Sequence, residues 1–415
     1  MAVPAAVSGP DIRKGATMNS QQAVETFLEF FRERGHHPIP GSSLVPRPGD
    51  PVLFTTSGMH PLTPYLEGQP HPDGPRLAGV QRCLRTTDLD EVGDRTHLTV
   101  FEMLGSWSLG DYPGPQSVRW GYELVTGGFG IDPGRLHATV FGGSAFSGSG
   151  GDGQVGPDTD LQEVWGELGV PVELTGTDNW WSNGPTGLCG TDSELFVWTG
   201  DSSLPQGTPG TDGRWVELWN HVMLRYRRLE DGTLVPLPRP CVDTGMGLER
   251  LVTILQGQDS VFGCDLLQPW THTVGRLWPV EETSLRLVTD HLRSSVVVIG
   301  DGMTPSSTGR GYVLRRLVRR TLTSLWRDDP SRTLGDLPPE LLTGTLDHFG
   351  QLSESGLVMG VLLDEERRFR DLLSRGRKVL ARRGGGPLTE DQLRYLHETH
   401  GLPREFVPAM LSGES

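Results

Sequence analysis

Apolar and polar positions change their spacing twice along the chain. Between residues 20 and 34, Ala23, Val24, Phe27, Leu28 and Phe31 recur at three- and four-residue intervals, which places them on one stripe of a helix. Ser20 or Asn19 stands where an N-cap is wanted, and Gly35 follows as terminator. From Pro38 to about Asn220 the apolar runs shorten and alternate with Gly, Pro and Asp turns. Val52–Thr56, Leu98–Phe101, Glu194–Trp198 and Trp215–Leu218 predict strands of an antiparallel sheet with inserted helices. The glycine-rich stretches Gly142–Gly156 and Gly200–Gly213 predict surface loops, because neither leads into a helix start as a phosphate cradle would. After about Glu281 helical spacing returns in Leu285–Ile299, Val313–Leu325 and Leu362–Ala381, and R-R-G-G-G-P at 382–387 breaks the last of these. The expected division is a flexible extension over 1–18, an α+β domain over 19–265 and a basic helical domain over 266–415.

Composition narrows the chemistry. Of 37 basic residues in 415, only Lys14 and Lys378 are lysines, and neither follows a glycine-rich loop. Walker A and protein-kinase sites each need a lysine on the phosphates, so both are excluded, and any ATP must be held by arginines. Net charge is −15, yet Arg286–Arg383 contains 17 basic and 12 acidic residues. A basic segment on an acidic chain suggests a local polyanion-binding face. Cys83, Cys189, Cys241 and Cys264 form no C-x-x-C pair, which implies reduced thiols in a cytoplasmic setting and speaks against structural zinc. No apolar run is long enough to span a bilayer, and Met1–Ala16 lacks the charged start and apolar core of a secretory signal.

Three constellations suggest chemistry. The first is Q-R-C-L-R at 81–85, a turn rich in acids, and then H-L-T-V-F-E-M-L-G at 97–105. This reads as a strand, a loop and a returning strand that project Arg85, the loop acids and Phe101 toward one place. A guanidinium suits a phosphate oxygen and an aromatic face suits adenine. The second is C-V-D-T-G-M-G-L-E-R at 241–250: alternate glycines leave a strand face bare for a flat ligand, Arg250 sits beside it at a helix start, and Asp243 can anchor an ammonium. The third, S-S-T-G-R-G-Y-V-L-R-R-L-V-R-R at 306–320, holds five arginines within eleven residues. Arg315, Arg316, Arg319 and Arg320 fall on one helix face without acids at i−4, which suits a phosphate backbone better than a salt-bridged surface.

Together with H-L-T-V-F-E-M-L-G-S-W-S-L-G-D-Y and L-W-N-H-V, these strings resemble the alanyl-tRNA synthetase catalytic region, in order and from about Gln21 to about Pro403. The resemblance implies a class II synthetase fold: an antiparallel sheet flanked by helices, followed by a helical tRNA-recognition domain. It implies ATP with Mg2+, an aminoacyl-adenylate, and transfer to a tRNA 3′ end. Residue by residue, Arg85 matches the α-phosphate arginine, Phe101 the adenine-stacking aromatic and Arg250 the arginine over the outer phosphates. His97, Asp90 and Glu91 fall near ATP and its magnesium, and Gly245 and Gly247 lie along the nucleotide-binding strand. Trp181, Asn220, Val222 and Asp243 match the amino-acid pocket, with Asp243 on the ammonium, Asn220 supporting it, and Trp181 and Val222 walling in a small side chain. No metal held by the protein itself is implied. Arg310, Arg315, Arg316, Arg319 and Arg320 are the expected RNA contacts.

The chain departs from the pattern in four places. The loop after Arg85 is short. Asp192 replaces a cysteine of the G-P-C-G-P-C-T-E segment, which approaches the amino-acid pocket. Ser307 and Glu398 stand where an asparagine and an aspartate read the G·U wobble pair, and losing one polar base contact costs about 1–3 kcal/mol of discrimination. The sequence ends near the point where full-length relatives continue into an editing domain, so an enzyme without editing and without its zinc is expected. The leading expectation is ATP-dependent activation of alanine, or a similarly small amino acid, and transfer to tRNA by a cytoplasmic monomer or weak dimer with no membrane partner. The alternatives are a tRNA-independent adenylate-forming ligase that serves a small-molecule or carrier acceptor, and a catalytically inactive RNA-binding paralogue.

Overall fold

The computed structural model describes residues 18–47, 52–145, 154–200, 205–381 and 389–400, except for the side chains at 144–145, 154, 379–381 and 397–400. The expected extension over 1–18 thus lies outside the described residues apart from Met18, as does the break at 382–387. The two glycine-rich stretches are described only in part. Helix α1 (Ser20–Arg32) buries Ala23, Phe27 and Phe31, as the apolar stripe requires. Of the two candidate caps Asn19 takes the role: its side chain accepts from Gln22 N at 2.9 Å, and Gln22 Oε1 answers Asn19 N at 3.0 Å. Ser20 is turned instead to Asp265, with its N–H 2.8 Å from Oδ2. Gly35 ends the helix region with φ +79°, a conformation that favours glycine.

The strands are β1 (His37–Ile39), β2 (Arg76–Leu84), β3 (Val100–Ser108), β4 (Leu136–Phe141), the small ribbon β5 (Ser144–Ala145) and β6 (Gln154–Val155), β7 (Val172–Thr175), β8 (Trp180–Ser182), β9 (Gly187–Trp198), β10 (Trp215–Arg228) and β11 (Leu234–Gly247). The main sheet runs β1-β2-β3-β11-β10-β9-β4-β7, with β8 added alongside β9. Its centre is antiparallel, as expected, but β1–β2 and β4–β7 are parallel. Each parallel edge follows from a helical crossover. The short α2 (Thr63–Leu66) lies between β1 and β2, and α4 (Thr159–Glu167) between β4 and β7, so the chain re-enters in the same direction. The expected strands at 194–198 and 215–218 lie inside β9 and β10. That at 98–101 begins only at Val100, and 52–56 is no strand at all. There the carbonyls of Val52 and Leu53 accept from the Arg310 guanidinium rather than from a neighbouring strand.

The chain divides into two compact units. One takes residues through Pro46, Thr55–Leu84 and Phe101–Leu266; the other takes Arg47–Phe54, Arg85–Val100 and everything from Leu267. In the first, one sheet face is covered by α1, whose Phe27 and Phe31 rings lie 5.9 and 6.3 Å from Trp219, and by α3 (Gly114–Glu123), where Ser117 Oγ meets His221 Nδ1 at 3.0 Å. The strand β11 runs straight into α5 (Leu248–Leu255). The second unit is helical: α6 (Gln268–Leu277), α7 (Glu282–Gly300), α8 (Gly309–Asp328), α9 (Pro339–His348), α10 (Ser355–Ala381) and α11 (Glu390–His400). Helix α7 is buried without interruption from Val288 to Ile299. Its Asp290 accepts from Thr99 N at 2.8 Å and its Arg293 donates to Val100 O at 2.9 Å, which fastens the 85–100 segment to this unit. Among the described residues no helix is long and apolar enough to cross a membrane, and all four cysteines are buried.

The β9–β10 ladder shifts register between Leu224 and Tyr226, and the strands draw together beside Gly190. A Cβ at that glycine would stand 1.8 Å from the Met223 carbonyl oxygen. Backbone cannot yield as a side chain can, so Gly190→Ala is expected to destabilise the chain by about 2–3 kcal/mol, read as a lower urea midpoint at unchanged m-value.

Candidate active site

The face of the sheet opposite α1 gathers the amino-acid-pocket candidates in two cross-strand rows. Trp107, Asp243, Val222 and Asp192 are successive partners on β3, β11, β10 and β9; Gly105, Gly245, Asn220 and Glu194 form the adjoining row. Rows two residues apart point to the same side of a pleated sheet, so all eight positions share one face. β8 brings Trp181 opposite Gly190 on β9. Trp181 and Val222 pack in one apolar cluster with Met59, Trp107, Leu188 and Cys241. The structure therefore brings Trp181, Asn220, Val222 and Asp243 together, as the expected pocket requires.

This face is dry and acidic. Asp243 is 6 % exposed and accepts from Trp107 Nε1 at 2.6 Å. Burial pushes its carboxyl up to about 7, against the pull of the Trp107 hydrogen bond. Asp192, 2 % exposed, accepts from Asn179 Nδ2 at 2.8 Å and Asn220 Nδ2 at 3.2 Å, and burial likewise raises it to about 7. Glu194 is pushed up to about 8 by burial, then by the charges of Glu217 and Asp192. Asn220 Oδ1 is buried and has no hydrogen-bond partner among the described residues. Arg250, half-buried at the start of α5, donates through Nη1 to Glu217 Oε2 at 2.9 Å.

The glycines of this face do less for a ligand than their spacing suggests. A Cβ on Gly245 would lie 2.8 Å from Met103 Sδ, and one on Gly105 2.3 Å from Trp107 Cζ2. Their absent side chains make room for Met103 and Trp107. At Gly247 the nearest atoms are those of the Arg250 side chain at 3.8 Å, so this glycine is the one that leaves space.

The nucleotide-binding candidates are divided between the units. Phe101, Gly245, Gly247 and Arg250 belong to the first; Arg85, Asp90, Glu91 and His97 belong to the second. Arg85 is half-buried, with its N–H on Thr99 O at 3.1 Å. His97 sits between two acids, Nε2 3.0 Å from Glu91 and Nδ1 2.6 Å from Asp94. Asp90 receives Arg316 Nη2 at 2.8 Å and Arg320 Nη1 at 2.9 Å.

That pairing changes the picture of the basic helix. Its arginines lack acids at i−4 but find them across the fold. Arg316 and Arg320 meet Asp90, and Arg319 meets Glu365 at 2.7 Å, a carboxylate only 2 % exposed. Arg310 is turned to the Val52 and Leu53 carbonyls. Arg315 instead lies over the exposed Tyr312 ring, 5.3 Å from its centroid. Ser307 is exposed; Glu398 lies on α11, and its side chain is outside the described residues.

Three partners escape a linear reading: Trp107 for Asp243, Asp192 for Asn220 and Glu217 for Arg250. Each pair is set by strand register or by helix entry. One signal was available for the first, since a buried tryptophan N–H seeks an acceptor.

A family model described as tRNA synthetases class II (A) matches residues 22–414. The chain is 39 % identical over 421 residues to an alanine–tRNA ligase of Treponema pallidum, covering 94 % of this chain and 68 % of that protein. It is 36 % identical to an alanine–tRNA ligase of Borreliella afzelii over 94 % of this chain and 68 % of the relative. With that of Rubrobacter xylanophilus it shares 37 % identity over 95 % of this chain and 47 % of the relative. The chain thus spans roughly half to two thirds of the length of these relatives.

Burial of Asp243 has a signed consequence for stability. With the folded value near 7 and the unfolded value in the ordinary carboxylate range, the folded state binds more protons between them, and stability falls as pH rises through that window. Asp243→Asn keeps an oxygen for Trp107 Nε1 and removes the charge. Thermal unfolding should show this variant more stable than the parent at pH 8, with the gain shrinking toward pH 5.

Proposed function

The chain belongs to the tRNA synthetases class II (A) family, a family of ligases, and from that premise we propose that it activates alanine with ATP and passes the aminoacyl group to a tRNA 3′ end. The observation that supports this best is the buried acceptor pair, Asp243 with Asn220 Oδ1, in a pocket walled by Val222 and Trp181. An ammonium seated there restores the charged form of Asp243, and the apolar wall favours a small side chain. A carboxylate oxygen of the amino acid attacks the α-phosphorus in line, and pyrophosphate leaves. Arg250 steadies the phosphates and Phe101 stacks on adenine, so the chain acts by positioning and charge rather than as a nucleophile. Magnesium, when bound, neutralises phosphate charge. The described residues gather no three of His, Cys, Asp and Glu able to hold a metal, and no step here is assigned to one.

A second reading, a ligase that serves a small-molecule or carrier acceptor, is favoured by one observation. Arg316, Arg319 and Arg320 already neutralise acids of the chain itself, which leaves less of the helix for a polyanion.

Amino-acid-dependent ATP–pyrophosphate exchange tests the shared premise. Alanine is expected to support exchange best across a panel, and Asp243→Ala to abolish it; no exchange with any amino acid would sink both readings. Transfer of labelled alanine to tRNA then separates them. Arg315→Ala should leave exchange intact while RNA affinity falls and its log–log salt slope drops by about 1. An unchanged slope would favour the second reading.

A further inference from the structure

Resting on the amino-acid-binding reading above, we infer that Asp192 is a positioning residue that decides which end of the Asn220 amide faces the substrate ammonium. Asp192 lies on β9 opposite Val222, in the row that also contains Asp243. An ionised carboxylate only accepts hydrogen bonds, and both oxygens of Asp192 are taken by amide N–H groups: Asn179 Nδ2 on Oδ1 and Asn220 Nδ2 on Oδ2. At its far end Asn179 Oδ1 accepts from the Thr175 hydroxyl, a group able to donate or accept. Donors therefore run in one direction from Thr175 through Asn179 to Asp192, and from Asn220 to the same carboxylate.

While Asp192 is ionised, Asn220 cannot turn its amide over without setting its own oxygen against a carboxylate oxygen in a water-poor site, an arrangement that would leave both unsatisfied. With Nδ2 held inward, Oδ1 must face outward. That oxygen is buried and unpartnered among the described residues. Buried acceptors are seldom left orphaned, so the arrangement calls for a donor from outside the chain. Of its two cross-strand neighbours, Gly245 on β11 has no side chain to supply one, and Glu194 on β9 accepts from the Thr139 hydroxyl and makes no hydrogen bond to it; Asp243 lies two residues along from Gly245. A cationic N–H group held by Asp243 is the donor this geometry takes. Asp192 itself need not touch the substrate; it sets the direction of the amide that does.

Asp192→Leu keeps a branched side chain in place but accepts from neither amide, so nothing at position 192 holds the direction of Asn220. In ATP–pyrophosphate exchange this variant is expected to lose about tenfold or more in kcat/KM for alanine, through KM for alanine, with KM for ATP unmoved. The pair Asp192→Asn with Asn179→Asp instead moves the carboxylate one place along the chain of donors. The new carboxylate at position 179 accepts from Thr175 and from the new amide at position 192, whose oxygen again accepts from Asn220. This double variant is expected to restore the alanine KM to within about threefold of the parent.

A folded single variant with an unmoved alanine KM overturns the inference, as does an equal rise in both KM values, or a double variant no better than the single. Should Asp192→Leu fail to fold, the double variant decides: an alanine KM near the parent value supports the inference, and a raised one overturns it. Failure of both to fold also overturns it, since the network would then hold the sheet rather than the amide. Absence of exchange in the parent chain defeats the functional reading and this inference together, whereas an active parent with an indifferent single variant defeats the inference alone.

Discussion

Two carboxylates, Asp243 and Asp192, stand on one dry sheet face with Val222 between them in the same cross-strand row. Most of the surrounding arrangement answers that constraint. A buried carboxylate either neutralises or is surrounded by donors. The donors here are a tryptophan N–H for Asp243 and two amides for Asp192. Two hydrogen bonds to Asp192 and one to Asp243 still leave both groups near 7, so hydrogen bonding offsets the burial only in part. The remainder is a standing affinity for positive charge. Under the proposed function that affinity is spent on the substrate ammonium, and the row keeps two buried carboxyls that a simple core would have avoided.

The second unit handles charge the other way. Its arginines are held against acids within the unit, and Glu365 is buried deeply enough that Arg319 is part of the fold. Removing one partner of such a pair leaves an uncompensated buried charge, typically at a cost of about 3–5 kcal/mol. Loss of RNA binding on changing Arg319 would therefore not by itself identify a phosphate contact. Arg316 and Arg320 share Asp90, a residue that the resemblance places near ATP and its magnesium. An RNA phosphate or a nucleotide-bound magnesium drawing on either side of that trio would have to break an existing pair.

How much of this was legible beforehand depends on the range of the interaction involved. The cap, stripe and terminator of α1 are local, and Asn19, Phe27 and Gly35 do what their spacing indicates. The long helices α7, α8 and α10 contain the periodic runs that announce them. The sheet was visible as a texture, but its parallel edges were not, because they follow from where α2 and α4 return the chain. Val52–Thr56 has the composition of a strand but forms no ladder: Thr55 O accepts from Leu84 N of β2, while the Val52 and Leu53 carbonyls turn to Arg310. At the site, Asp243 and Asn220 could be marked from their motifs, whereas the partners that tune them lie on other strands. Residues 107, 192 and 243 become neighbours only through register, which a single sequence does not display. The absence of acids at i−4 on α8 is a local fact; the acids that matter are far away in sequence.

The same distance in sequence explains why the two asparagine amides matter more than their polarity suggests. A carboxylate of ordinary acidity would stay ionised across the working range and would bind an ammonium without help. Asp243, held near 7, has a proton competing for the place that an ammonium would take. A second acceptor that never titrates resolves this competition, since an amide oxygen offers the same lone pairs at every pH. Asn220 can be that acceptor only while its oxygen faces the pocket, and the group that holds it there, Asp192, is itself poised near 7. Protonated, Asp192 would become a donor and could accept the amide in either sense. Charge on the row is thus coupled through the direction of one amide, and the pocket is best ordered when Asp192 is ionised, which is also the state in which a bound cation stabilises the row most.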